Sequence, residues 1–452
     1  MKDHPSTHGS GRGPFVRGRR VAALVVGVMA VAALAAAPAA QASGLRSDRT
    51  GATAPSLEIF YRSPVLVRPG ENVRIPVDVV CTSGGRACSA SARLSLVGAA
   101  NGTTAAGAAP GLEFDLSRPA DRASPAGRVD FRLSATARGG LTSALPGGQG
   151  TLHLYVARRM PAVRLPSVPF GRYRHGRQIL FLPWGSAPAA AGLSPGDEAA
   201  TLGPSSFAVA PDGRIDIADV FHRRLLLFAG AHLVRQIPLP ISPQTDLAVG
   251  MDGRTFLASD FVVGKRRTGF TVVDRSGGIE SSITEPGGIL GEVGTDGSAG
   301  FVHVLPLDAW VGFPGSRSTV GARTGLPLPG GAMMLRSVVG NTVRLEIASG
   351  SRVGDAVELR SSRPLGDLTF AAPDGAGGYV AVVRVVSSTA DQYQVAHVAS
   401  DHSVTAFAVP SHQFAQTMPN SKFRLGPDGA LYQMTTSPDG VRILRYAMGG
   451  AR

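Results

Sequence analysis

The chain has 452 residues, with 58 glycines and 33 prolines, 43% hydrophobic and 17% charged side chains. That mix excludes a generally disordered chain and a helix-rich one, and it suits many short strands joined by turns. The formal charge of +13 is spread along the sequence instead of gathered in a block, which argues against a nucleic-acid-binding role.

Residues 1–42 read as a cleaved signal peptide. Arg12, Arg17, Arg19 and Arg20 form a basic start, Val21 to Ala37 is an unbroken apolar run, and Ala40-Gln41-Ala42 is a small-x-small cleavage site. The alternative is a retained single-span anchor. The cleavage signature favours a secreted, extracellular chain, in which cell-wall association is open and no transmembrane anchor remains. Arg19-Arg20 leaves both the general and the twin-arginine export routes open. Removal takes away five positive charges (Lys2, Arg12, Arg17, Arg19, Arg20) and one negative (Asp3), leaving +9. Lysine occurs only at Lys2, Lys265 and Lys422, and this arginine-for-lysine usage with abundant Ala, Gly and Pro fits a GC-rich bacterial source.

Residues 43–55 read as a flexible leader. Over 56–157, seven segments alternate apolar and polar residues, from "SLEIFY" to "GTLHLYVA". Alternation buries one face of each strand, so this region is expected to be a β-sandwich of immunoglobulin-like size. Residues 100–110 and 138–150 are expected to be loops by composition. Cys81 and Cys88 flank a Ser-Gly-Gly turn, and in an exported chain they read as a local disulfide. Residues 158–177 hold the Pro-rich "PAVRLPSVPF" and read as a semi-rigid linker.

The remainder, 178–449, repeats. Asp212-Gly213, Asp252-Gly253, Asp296-Gly297, Asp374-Gly375 and Asp428-Gly429 follow one another at 40, 44, 78 and 54 residues. The long interval is about two units, with Gly340-Asn341 standing at the missing turn. Asp-Gly suits a two-residue hairpin whose central residues both take positive φ. Six units of this kind predict an all-β chain: the sandwich, then a six-bladed β-propeller. The segment Gln178–Leu182 has no partner in the first unit, and the last unit supplies only three strands. The early segment is therefore expected to complete the final sheet.

Residues 203–224 carry a family resemblance. Gly203-Pro204, Asp212-Gly213, Ala218-Asp219 and Arg224 stand where the NHL repeat family of six-bladed propellers has its motif, and His222 stands where that family usually has Asn. The second unit keeps Asp252-Gly253 and Asp260. The chain resembles that family over about 180–285 and less closely to 449. The resemblance implies a six-bladed ring, and it implies no single activity, since the scaffold serves binding modules, sensor ectodomains and a few enzymes.

Two sets of site residues follow. Asp219 ends a strand, where it either fixes the following loop or meets a ligand. His222 and Arg223 share that loop, and Lys265, Arg266 and Arg267 occupy the equivalent loop of the next unit, so basic groups of adjacent units would face an anion. His303, His397 and His412 come from different units and could meet around an axial metal, as in lyases of related shape. No Gly-x-Ser-x-Gly elbow or phosphate loop occurs, so no catalytic residue and no cofactor is expected. The sequence therefore predicts a monomeric binding protein for a protein, glycan or anionic wall-polymer ligand. The competing prediction is a metal-dependent lyase or hydrolase.

Overall fold

A computed structural model describes residues 56–61, 65–82, 89–97, 102–108, 112–119, 127–137, 150–194, 201–259, 267–286, 290–304, 309–314, 324–415 and 421–448. Residues 55–452 form one compact unit. The fold is all-β and propeller-like, with eight sheets among the described residues. The signal peptide and the leader expected at the N-terminus lie outside the described residues.

Two sheets precede the repeats. One joins Ser56–Tyr61, Asn72–Thr82 and Leu112–Pro119; the other joins Val65–Val67, Gly150–Val156, Gly127–Ala137, Ser89–Leu96 and Gly102–Ala108. They share one core, in which Leu57, Val73 and Val79 of the first sheet meet Leu94, Phe131, Leu133 and Leu154 of the second. Residues 102–108 were expected to be loop and instead form an edge strand paired with Ser89–Leu96. Its sequence, "GTTAAGA", has side chains too small to show alternation, and the ladder is made by the backbone. Cys81 lies in the Asn72–Thr82 strand, while Cys88 and hence the expected disulfide lie outside the described residues.

Among the described residues six further sheets follow; in the fourth, the turn expected at Gly340-Asn341 joins the second and third strands, and Pro329–Gly331 joins the first two instead. In order, their first strands are Ser206–Val209, Asp246–Val249, Leu290–Thr295, Leu326–Pro327, Leu365–Pro373 and Phe423–Leu425. Each sheet packs on the next through these strands or their neighbours, and Phe423–Leu425 packs back on Ser206–Val209, so the contacts close a cycle. Arg177–Pro183 joins the sixth sheet antiparallel to Gly440–Tyr446, as its lack of an early partner required. Leu180 and Leu182 of this strand are buried with Val441 and Ile443 in the same core as Phe207 and Ile217 of the first sheet. The segment leading into the first of these sheets is thereby held to the last strand of the sixth.

The Asp-Gly turns differ from the expected two-residue form. Only the glycine has positive φ, +83° at Gly213, +83° at Gly253 and +68° at Gly429; the aspartates do not. At the first turn Gly213 N–H donates to Ala210 O at 2.9 Å, and Ala210 N–H donates to Arg214 O at 2.8 Å. This is a type I turn closed by a left-handed glycine, with Pro211 at the position whose φ it presets. The Asp212 carboxylate accepts from Arg214 N–H at 3.1 Å, and Asp252 and Asp428 repeat that bond at Arg254 and Ala430. Aspartate is needed for its side-chain acceptor, not for a left-handed backbone.

The Pro-rich segment is more than a spacer. Ala162–Arg164 adds a parallel strand to the outer edge of the fourth sheet, beside Val357–Arg360. Gln392 and Gln394, both buried in the fifth sheet, donate to Val168 O and Pro166 O. Tyr173 bridges to Ala408 of the fifth sheet, and Arg177 begins the strand of the sixth. The segment straps the outer edges of three consecutive sheets. A mixed core of Leu66, Tyr155 and Met160 with Met333, Leu335 and Ala348 joins the first part of the chain to the fourth sheet.

Candidate functional site

A buried polar cluster joins the first strands of several sheets. Asp246 opens the first strand of the second sheet, and its side chain is wholly buried. It accepts from Ser206 Oγ of the first sheet, from Val293 N–H of the third at 2.8 Å, and from Ser421 Oγ beside the sixth at 2.8 Å. Arg424 of the sixth sheet donates to it at 2.8 Å and to Leu247 O at 2.7 Å and Phe207 O at 2.9 Å. One carboxylate of the second sheet thus holds groups from three others, and both of its oxygens are engaged. A buried charge of this kind needs such partners to persist in the folded state. Ser206, Asp246, Ser421 and Arg424 were not singled out by sequence. The available signal was a polar residue directly before each short apolar run, as in "SSFAV" and "TDLAV".

A second buried acid links neighbouring sheets. Asp216 receives a two-pronged contact from Arg214, 2.7 Å from Nε and 3.1 Å from Nη2, and a bond from Thr255 Oγ1 of the second sheet at 2.7 Å. Burial pushes its pKa up, against the opposing pull of Arg214.

Asp219 ends its strand fully buried. It accepts from Arg224 Nε at 2.8 Å, from Gly192 N–H at 3.2 Å and from His222 Nδ1 at 2.8 Å, so His222 carries its hydrogen on Nδ1. Arg224 is 4% exposed and also donates to Ala190 O at 2.6 Å and Gln236 Oε1 at 3.0 Å. Asp219 and Arg224 together pin the long segment 184–194 onto the first sheet. A Cβ at Gly192 would stand 2.6 Å from Phe221 Cβ and 2.7 Å from Asp219 Oδ1, which is why glycine occupies that position. The turn itself places Arg223 at φ +50°, an uncommon conformation for arginine, and leaves its side chain exposed. Phe221 is 54% exposed and meets the His222 ring edge-on at 5.2 Å.

Of the equivalent loop in the second unit, Lys265 and Arg266 lie outside the described residues. Arg267 is exposed at the start of the Arg267–Val273 strand. The three histidines go to separate places. His303, in the third sheet, stacks on Trp310 at 5.2 Å. His397, in the fifth, lies 2.9 Å from Asp374 Oδ2 at that sheet's hairpin. His412 is exposed in the loop after Val404–Val409. Among the described residues no group of three or more His, Cys, Asp or Glu side chains is gathered at metal-binding distance.

Further apolar side chains face outward. Leu202 is 38% and Phe414 43% exposed. Trp184 donates to Ser437 O at 2.9 Å and bridges to Ala191, so the segment between the sixth and first sheets is folded back on itself. No helix among the described residues is long and apolar enough to cross a membrane.

No family model matches the chain, and no curated protein matches it. Among solved structures it is similar to a protein of unknown function from Bacteroides caccae, at 11% identity over 48% of this chain and 93% of that one, with a TM-score of 0.30. It is similar also to virginiamycin B lyase from Staphylococcus aureus, at 10% identity over 86% of this chain and 99% of that one, with a TM-score of 0.22.

Proposed function

We propose that the chain is an exported, non-catalytic binding protein. In this reading an immunoglobulin-like β-sandwich, stapled by Cys81–Cys88, precedes a six-bladed propeller of the NHL kind. The propeller binds its partner through loops at one mouth. The partner is a protein, a glycan or an anionic wall polymer.

One contrast carries the reading. The charged groups buried where the sheets converge spend their hydrogen bonds on one another, as Asp246 does with Ser206, Ser421 and Arg424. The loop side chains Phe221, Arg223 and Phe414 instead stay open to solvent. Asp219 supports the loop, and His222 with Arg223 stands beside the aromatic contact. Exposed aromatic and arginine side chains on a rigid support are the usual anchors of an interface.

The test uses the chain beginning at Ser43. It is expected to sediment with washed cell-wall material or to bind one class of a glycan array. The triple variant Phe221→Ser, Arg223→Ser, Phe414→Ser is expected to lose at least ~10-fold of that binding, about 1.4 kcal/mol. Retention of stoichiometric zinc or calcium together with turnover of a substrate would overturn the reading in favour of a lyase or hydrolase.

A further inference from the structure

The strap over the fourth, fifth and sixth sheets carries an unusual charge arrangement. At one end Arg164 is the direct cross-strand neighbour of Arg360. At the other, Arg177 is the direct cross-strand neighbour of Arg445. Like charges placed opposite one another oppose strand pairing. Between these pairs stand Arg172 and Arg174, both exposed.

The nearby carboxylates are already engaged, Glu358 and Asp428 by the second members of the two pairs, Arg360 and Arg445. Glu358 is shared by Arg68, Arg344 and Arg360; Asp391 is held by Arg384, Asp428 by Arg445 and Asp439 by Arg442. Asp367, exposed on the fifth sheet, accepts from Thr369 and acts on Arg384 and Lys422. Among the described residues no carboxylate lies within ion-pair distance of Arg164, Arg172, Arg174, Arg177 or Arg363. Arg174 donates to Ala447 O and Arg363 to Val168 O, both uncharged acceptors. The strap's backbone is bonded to Arg360 O, Gln392, Gln394 and Ala408 O, so these charges cannot swing far from one another. Arg164 and Arg177 are thirteen positions apart, at most about 45 Å of extended chain.

We infer that this rim is a second binding surface, for a flexible polymer bearing repeated phosphate or carboxylate groups and no bases. A polyanion would neutralise Arg164 and Arg177, the members of the two pairs that no carboxylate holds, together with Arg172 and Arg174, and exchange its counterions for fixed guanidinium groups. Arg363 lies over Phe170 at 4.5 Å in a shallow cleft along the strap that Ser362, Pro364, Val386, Ser387 and Ser388 also line. Single-stranded nucleic acid binds less well in this picture. It needs open aromatic faces for its bases, and Phe170 and Phe407 are each covered by an arginine, at 4.5 Å and 4.2 Å. The inference rests on the binding-protein reading above but uses a different surface.

Binding of the chain from Ser43 to inorganic polyphosphate and to polygalacturonate is measured by titration calorimetry at low and at moderate salt. Tight binding of either polymer, weakened by salt, is the expected result, and which polymer binds identifies the anionic group. The variant Arg164→Ser, Arg172→Ser, Arg177→Ser is expected to lose at least ~10-fold of that affinity, while the same three positions as lysine keep most of it. The thermal midpoint of the serine variant is expected not to fall, since repelling pairs are removed, so lost binding is not lost folding. Unchanged affinity in the serine variant overturns the inference. So does an equal loss in the control Arg132→Ser, Arg275→Ser, Arg352→Ser, which removes the same charge elsewhere. Oligothymidylate of matched charge binding as tightly as the polymers overturns the exclusion of bases. The loop variant Phe221→Ser, Arg223→Ser, Phe414→Ser is expected to bind the polymers normally. If it alone loses them, the strap inference fails and the loop reading stands.

Discussion

Asp246 and Arg424 meet at 2.8 Å although 178 positions separate them in the chain. Asp246 belongs to the second sheet and Arg424 to the sixth, and Ser206 of the first sheet lies between them. The pair therefore spans the point where the cycle of sheets closes. Replacing Asp246 by Ala leaves a largely buried guanidinium without its carboxylate, a loss of about 3–5 kcal/mol. Urea denaturation is expected to show that loss. The double variant Asp246→Leu, Arg424→Met is expected to recover part of it, because neither charge is then stranded.

Asp219 and His222 are separable by the same measurement. Asp219 holds Arg224, Gly192 and His222 while wholly buried, so Asp219→Ala is expected to cost about 3–5 kcal/mol. His222→Asn keeps a donor within reach of that carboxylate at a half-buried position, and a change of no more than about 1 kcal/mol is expected. A loss as large for His222→Asn as for Asp219→Ala would show that the histidine is part of the support and not of the surface.

The strand borrowed by the sixth sheet gives a third prediction. Leu182 is fully buried between the sixth and first sheets. Leu182→Ala is expected to destabilise by about 2–5 kcal/mol. Amide exchange is expected to accelerate first in residues 440–446, whose ladder partner is the strand carrying Leu182.

The fourth concerns pH. Glu346 is 3% exposed; its Oε1 accepts from Gly354 N–H at 2.9 Å and its Oε2 has no hydrogen-bond partner. Burial raises its pKa from 4.5 to about 7, with the Asp355 charge adding to the rise and Arg158 opposing it. The folded state holds this proton more tightly than the unfolded chain does. The carboxyl's contribution is therefore most favourable below about pH 4.5, and it declines as pH rises to about 7, beyond which the loss is complete. The total is on the order of 3 kcal/mol. Glu346→Gln is expected to flatten the fall in denaturation midpoint between pH 5 and pH 8 and to raise stability at the upper end.

Much of this fold was legible because backbone needs are written locally. Gly213, Gly253 and Gly429 mark left-handed turn positions, and the apolar runs between them are strands. Asp219 could be read as a loop support from its place at a strand end. The strand 102–108 escaped because "GTTAAGA" has no large side chain to reveal which face is buried. His303, His397 and His412 lie on three different units and share nothing in sequence that sets their directions. His397 turned to Asp374 and His303 to Trp310.

By itself the sequence determined an all-β chain, the positive-φ glycines of its Asp-Gly turns and the need for an early strand to complete the last sheet. Those follow from alternation and from glycine's φ, which act within a few residues. Tertiary structure alone decided that Asp246 would face Arg424, and that a Pro-rich spacer would become a strap. It also decided that Arg164 and Arg177 would each lie against another arginine. Such pairings join residues far apart in the chain, and they depend on the register and twist of whole sheets, which no short stretch of sequence encodes.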